Sequence, residues 1–178
     1  MPVSYTQAWI EAAAAADKSE VMLPAVELIH PEFVENGQAA PIRAVRNTVD
    51  LMLRLEQEAP LHGGLLVPFK GILFDVDYPR IGKFGAEATL RLDNVNREAM
   101  PYLEAAAKSN EPIKVIFRGY LASDPDTVGQ GPYHLFLRRV RVKGSILEGM
   151  LSIARTQDIR VIKETYDMVR FATLLQVS

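Results

Sequence analysis

Hydrophobic side chains recur at every second residue along much of this chain. Val49, Leu51, Leu53 and Leu55 alternate with Asp50, Met52, Arg54 and Glu56, a two-residue period that gives an extended strand one apolar and one mostly polar face. Ile42, Val45, Val49 and Met52 also fit helical spacing, so a helix over that stretch stays open. Pro41–Asn47 reads as the preceding strand, and Val21–His30 as an earlier one. Pro24 lacks an amide proton to give to a ladder, which predicts that Val21–His30 lies at a sheet edge. After the breaker Pro60-Leu61-His62-Gly63-Gly64, residues Leu65 to Val76 form one further extended run.

The stretch Gly85–Asp124 is patterned as strand, helix, strand. Ala88, Leu90 and Leu92 alternate with Thr89, Arg91 and Asp93. Asp93, Asn94 and Asn96 then offer short polar side chains to the unpaired amides of a first helical turn. Pro101 is tolerated only near such a first turn, which predicts a helix over 97–108 with Tyr102, Leu103 and Ala106 towards the core. Beyond Pro112, Ile113, Val115 and Phe117 alternate with Lys114, Ile116 and Arg118 until Asp124-Pro125-Asp126 turns the chain. Tyr133–Val142 is a strand whose phase changes, from Leu135 and Leu137 to Val140 and Val142, and this predicts a bulge at Arg138-Arg139. Lys143-Gly144-Ser145 turns it into a last strand through Leu147, Gly149, Leu151 and Ile153.

The two ends differ from the middle. Ser4 and Gln7 have capping-box spacing ahead of a predicted helix from Tyr5 to Ala16. Its face of Trp9, Ala12, Ala13 and Ala16 is shallow, suited to a lid over a sheet or to an arm on a neighbouring subunit. Tyr166, Val169, Phe171, Leu174 and Leu175 make the C-terminal segment apolar without a clear period. The expected fold is mainly β (α+β), a β-sandwich or barrel of about seven strands with an N-terminal helix and one short central helix. Residues 1–20 would be a helical arm, 21–155 the β domain with the inserted helix, and 156–178 a C-terminal segment.

Composition narrows this picture only slightly. A chain of 178 residues with 48% hydrophobic side chains is long enough for one domain with a real core. Twenty basic residues against 22 acidic ones give no overall field for nucleic acid or an anionic membrane. The chain has no cysteine, so disulfides and thiolate metal sites are excluded. No run of 18 apolar residues suggests a spanning helix, and MPVSYTQAWIEAAAAADK lacks the basic lead of a secretory signal.

Candidate chemistry is sparse. Asp75 and Asp77 would project from one strand face, yet no nearby loop has the oxygen ligands that calcium needs. His30, His62 and His134 share no ligand spacing. Gly63-Gly64 and Gly129-Gln130-Gly131 lack the lysine and hydroxyl of a phosphate loop, and no serine sits in a nucleophile elbow. The expectation is therefore a protein without catalytic residues, cofactor or metal. Arg138, Arg139, Arg141 and Lys143 are the densest basic cluster: a positive stripe along a phosphate backbone, or a solvated face paired with acids of a neighbouring strand or subunit.

The run Ala88-Thr89-Leu90-Arg91-Leu92-Asp93-Asn94-Val95-Asn96-Arg97-Glu98, with Pro101 and the alanine-rich helix after it, resembles the centre of an uncharacterised family of minor tail proteins of long-tailed, noncontractile bacteriophages. Pro41–Asn47 and Val142–Gly149 extend the resemblance. It implies a structural protein of the virion tail tip, a distal-tail or baseplate-hub ring, assembled in the host cytoplasm without membrane insertion. Implied partners are copies of itself, neighbouring tail-tip, tail-tube or tape-measure proteins and, weakly and without sequence preference, DNA in the tail channel. Candidate interface residues are Trp9, Tyr78, Ile81, Phe84, Arg139, Arg141, Phe171 and Leu174. The alternatives are a small-ligand or carbohydrate-binding β module with Tyr78, Phe84 and Tyr133 at a barrel mouth, and a metal enzyme built on Asp75, Asp77 and a histidine.

Overall fold

A computed structural model describes residues 5–15, 20–77, 88–92, 100–109, 111–144 and 146–152. Its elements, in chain order, are α1 (Gln7–Ala14), β1 (Met22–Ile29), β2 (Val34–Glu35), β3 (Gln38–Ala39), β4 (Ile42–Val45), β5 (Leu51–Arg54), β6 (Leu66–Gly71), β7 (Phe74–Asp77), β8 (Ala88–Leu92), α2 (Met100–Lys108), β9 (Ile113–Leu121), β10 (Gln130–Lys143) and β11 (Ile146–Ser152). Strands β2 and β3 pair only with each other, and the remaining nine form one sheet in the order β5-β6-β4-β1-β9-β10-β11-β8-β7. Neighbours are antiparallel except β4 and β6, which run parallel over Ala44↔Lys70 and Val45↔Gly71.

Connectivity forces this sheet to roll up. Strands β6 and β7 stand seven spacings apart in the order, about 34 Å if the sheet were flat. Yet Gly71 ends one and Phe74 begins the other, and three Cα steps reach at most about 11 Å. The sheet therefore curls until its two ends meet. Inside the curl lies the larger core, in which Val26, Leu28, Phe74, Leu90, Leu92, Ile113, Val115, Phe117, Leu137, Leu147 and Leu151 are all buried. Helix α2 plugs it with Leu103 and Ala106, and Phe33 packs its ring edge against Tyr102 with centroids 6.5 Å apart.

A second, smaller core lies on the other face of the sheet. Alternation turns Leu23 and Ala25 of β1, Val45 of β4 and Tyr120 of β9 away from α2, and Leu53, Leu55, Val67 and Phe69 of the β5–β6 hairpin and its margin cover them. The hairpin fits because its own alternation buries Leu53 and Val67, which stand opposite each other in register. Tyr120 donates from its hydroxyl to the Arg54 carbonyl at 3.0 Å, which ties this layer to the central sheet.

The expected mainly β class with a helix at the start and one in the centre is what forms, but several details differ. The described strands outnumber the expected seven, and the roll is not hydrogen-bonded into a closed barrel, because its end strands β5 and β7 are not paired with each other. Leu65–Val76 is broken in two at Ile72-Leu73, where the chain crosses from one end of the sheet to the other. Residues 46–50 separate two strands, so no helix covers Ile42–Met52. The N-cap of α1 is Thr6, whose Oγ1 accepts from the Trp9 amide at 3.3 Å, while Ser4 lies outside the described residues. The described part of the central helix, Met100–Lys108, lies within the expected span, with Pro101 in its first turn.

Pro24 does not mark an edge, since β1 runs through the middle of the sheet between β4 and β9. Its carbonyl accepts from Arg46 N at 2.9 Å, on the β4 side, so its missing amide proton would have faced the same way. Ladder pairing with β4 ends at Ala25↔Val45, and Pro24 falls just past it. The bulge, by contrast, is where the phase change puts it. The β10–β11 register shifts between Arg138 and Arg141, and Arg139 has φ +51°.

Candidate functional site

The outer layer holds a charge cluster that no sequence spacing announces. Register sets Arg43 beside Glu27 and Ala25 beside Arg118 on neighbouring strands, with all the charged side chains on the face away from α2. Glu27 and Arg118 are fully buried, and Arg118 Nη1 donates to Glu27 Oε2 at 2.9 Å. The other Glu27 oxygen takes Arg43 Nε at 2.8 Å. Arg118 then grips Glu56 as a fork, Nε to Oε2 at 2.7 Å and Nη2 to Oε1 at 2.8 Å. Burial works against a charged Glu56, but these bonds and the charge of Arg118 prevail and hold its carboxyl below the usual range. Burial pushes the neighbouring Tyr120 phenol up, so it stays a hydrogen-bond donor.

Glu56 reaches the cluster because the segment after β5 folds tightly back. Glu56 O accepts from Gly64 N at 3.0 Å and Leu65 O accepts from Leu55 N at 3.0 Å. Gly64 has φ +72°, and a Cβ on Gly63 would sit 2.4 Å from the Gln57 carbonyl oxygen, so neither position has room for a side chain in this turn. His62 is brought to 3.0 Å from Arg43 Nη2, and since a guanidinium only donates, its Nδ1 is assigned as the acceptor. His134, in register with Ile116, lies on this face too. His30 is elsewhere and satisfied: Nδ1 accepts from Glu32 N at 3.1 Å, and Nε2 donates to the Glu111 carbonyl at 3.2 Å. Two neutralised pairs of opposite sign make this a clamp on the segment 55–65, with its charges spent on one another.

Outward from the clamp, the β5–β6 hairpin is unexpectedly apolar. Met52 stands opposite Pro68 and Arg54 opposite Leu66, on the face away from the core. Met52, Leu65 and Leu66 are exposed, as are Val49 and Leu73 at its margins. Ion pairs flank them, Lys70–Asp50 at 2.7 Å and Arg54–Asp126 at 2.9 Å. The signal was present in the sequence as Met52 in an otherwise polar phase and as the unbroken run Leu65-Leu66-Val67.

Of the interface residues expected from sequence, Trp9 is buried on its own chain. Its indole lies over two bare backbone positions: a Cβ on Gly119 would come 2.6 Å from Trp9 Cη2, and one on Gly129 would come 2.8 Å from Cε3. Exposed here are Ile10 of α1 and Tyr5 just before it. Arg139 and Arg141 are exposed on β10, with Arg139 Nη1 3.5 Å from Met150 Sδ. Tyr78, Ile81, Phe84, Phe171 and Leu174 lie outside the described residues. The ligand-module alternative keeps only Tyr133 within them, and its ring packs on Phe117 with centroids 6.2 Å apart.

Register gives one member of the basic cluster an acidic neighbour. Arg141 faces Glu148, Glu148 faces Arg91, and Arg91 faces Asp75, giving a row of alternating sign across β10, β11, β8 and β7. Asp75 is itself 3.6 Å from Arg46, which extends the row to β4. Of the basic cluster, Arg141 thereby has an acid on the next strand, while Lys143 stands opposite Ile146. Among the described residues no group of three or more His, Asp or Glu side chains is placed to share a metal ion.

No curated protein matches the chain. One family model does, over residues 8–166, and it takes in β1 to β11 and both helices but for the first residue of α1. By this match the chain belongs to the family described as "Domain of unknown function (DUF1833)".

Proposed function

We propose that this chain is a structural component of the tail tip of a long-tailed, noncontractile bacteriophage, in a distal-tail or baseplate-hub ring built from copies of itself and neighbouring tail proteins. The observation that carries the reading is the outward face of β5–β6, where Met52 and Leu66 are exposed beside Pro68 between the ion pairs Lys70–Asp50 and Arg54–Asp126, with Val49, Leu65 and Leu73 exposed in the adjoining segments. Scattered apolar side chains need no explanation, but a cluster with a charged rim has the anatomy of a protein contact. The resemblance of Ala88–Glu98, Pro41–Asn47 and Val142–Gly149 to minor tail proteins supports the tail assignment. The mixed-sign row through Arg141 and Glu148 suits subunit contacts better than a phosphate backbone.

The test is light scattering of the purified chain over a range of concentrations, alone and with the proteins encoded beside it, against a Met52→Asp/Leu66→Asp variant. The reading expects a defined assembly for the natural chain, and loss of that assembly with an unchanged melting temperature for the variant. A natural chain that stays monomeric alone and with those neighbours would refute it.

A further inference from the structure

The attachment of α1 is narrow and specific. The helix has eight residues and buries one side chain, Trp9, the only tryptophan of the chain. Among the described residues its hold includes the indole over Gly119 and Gly129, hydrogen bonds from Thr6 N at 2.9 Å and Thr6 Oγ1 at 3.5 Å to the Gly129 carbonyl, and a bridge between Tyr5 and Gln130. A helix this short does not sustain itself in water, so α1 is helical only while its indole is seated. The seat is shaped for that ring, since a methyl group at either glycine would collide with it.

Nothing in these contacts requires that arm and seat belong to one molecule. An arm from a second copy brings the same indole, cap and backbone donor, and exchange replaces each contact with its equal. Which seat is used then depends on the effective concentration of each, and an assembly that holds a neighbour's seat close raises it greatly. The seated arm also keeps Tyr5 and Ile10 about half exposed, at 45% and 50%. They border a shallow groove of about 610 Å³ shared with Ala13, Ala14 and Gln130, an apolar surface that a neighbour's body would cover.

We propose that the Gly119–Gly129 seat is a docking socket for α1 of a second copy, so that adjacent copies exchange N-terminal arms. The proposal deepens the assembly reading above and rests on it. Two full-length variants test it: Gly119→Ala/Gly129→Ala keeps the arm and blocks the socket, while Trp9→Ala keeps the socket and disables the arm. Circular dichroism and melting curves establish that both fold; if the double variant fails, Gly129→Ala alone takes its place.

The socket-blocked variant, carrying the sole tryptophan, should emit as an exposed indole. Adding the Trp9→Ala protein, which has no tryptophan, should shift that emission to the blue and yield a one-to-one complex. A mixture with no shift and no complex, at concentrations where the natural chain assembles, overturns arm exchange and leaves the assembly reading standing. No complex from the mixture together with a monomeric natural chain overturns the exchange and counts against that reading as well.

Discussion

Asp75 Oδ1 lies 3.6 Å from Arg46 Nη2, although Asp75 is on the last strand in the sheet order and Arg46 follows the third. The contact shows that the ends of the sheet meet, and it completes the row Arg141, Glu148, Arg91, Asp75. Both of its side chains are more than half exposed, so water and salt screen it. A double-mutant cycle with Arg46→Gln and Asp75→Asn, read by urea denaturation, should give a coupling of about 0.2–1 kcal/mol that fades at high salt. A coupling above that range would mean that this pair, and not the two-residue link from β6 to β7, holds the roll shut.

The buried clamp behaves differently. Arg118→Ala leaves Glu27 buried with one guanidinium instead of two and frees Glu56, and should cost about 3–5 kcal/mol. Replacing Arg43 and Arg118 by Met and both Glu27 and Glu56 by Gln removes the four charges together, and should cost clearly less than Arg118→Ala. Chemical denaturation of the two variants decides it, and equal losses would show that packing, not charge pairing, dominates there.

Acid should find the same clamp. The Glu56 carboxyl is held below its ordinary value of 4.5 against the opposing effect of burial, chiefly by Arg118. A folded-state pKa below the unfolded one means that this stabilisation is complete above the ordinary value and is lost as the pH falls through the lowered one. The melting temperature of the natural chain should therefore exceed that of Glu56→Gln by a constant margin from about pH 7 to about pH 5, and the margin should shrink on further acidification. A margin unchanged down to about pH 3 would show that the carboxylate is not what stabilises the segment 55–65.

The two cores should report differently on mutation. Leu103 is fully buried where α2 plugs the roll, so Leu103→Ala should cost about 2–5 kcal/mol. Tyr120→Phe keeps the ring and loses the bond to the Arg54 carbonyl, for about 0.5–1.5 kcal/mol. Equilibrium unfolding checks both, and a larger effect from the single hydroxyl would mean that the outer layer holds the fold.

Much of the local structure was legible in the residues. Alternation placed the strands around Leu53, Leu90, Val115 and Leu151, each of which is buried in the phase that its neighbours indicate. The phase change between Leu137 and Val140 located the bulge, because a strand must shift register to keep one apolar side inward. Pro24 does not mark an edge, since it sits at the end of the β1–β4 ladder, where its carbonyl still accepts from Arg46 and only one returning bond is forgone. The expected helix face was right about Trp9, but spacing says nothing of the two glycines, more than a hundred residues away, on which the indole rests.

The site was legible only in fragments. Glu27, Glu56 and Arg118 are 29 and 62 residues apart along the chain, and no local pattern joins charges that meet through strand pairing. By itself the sequence determined the period of most of the longer strands, the bulge and the two helices, because these depend on side chains within a few residues of one another. Strand order, the rolling of the sheet and the company each charge keeps were decided by tertiary structure alone. The physical reason is that register is a property of two strands at once, and a single strand carries only its own half of it.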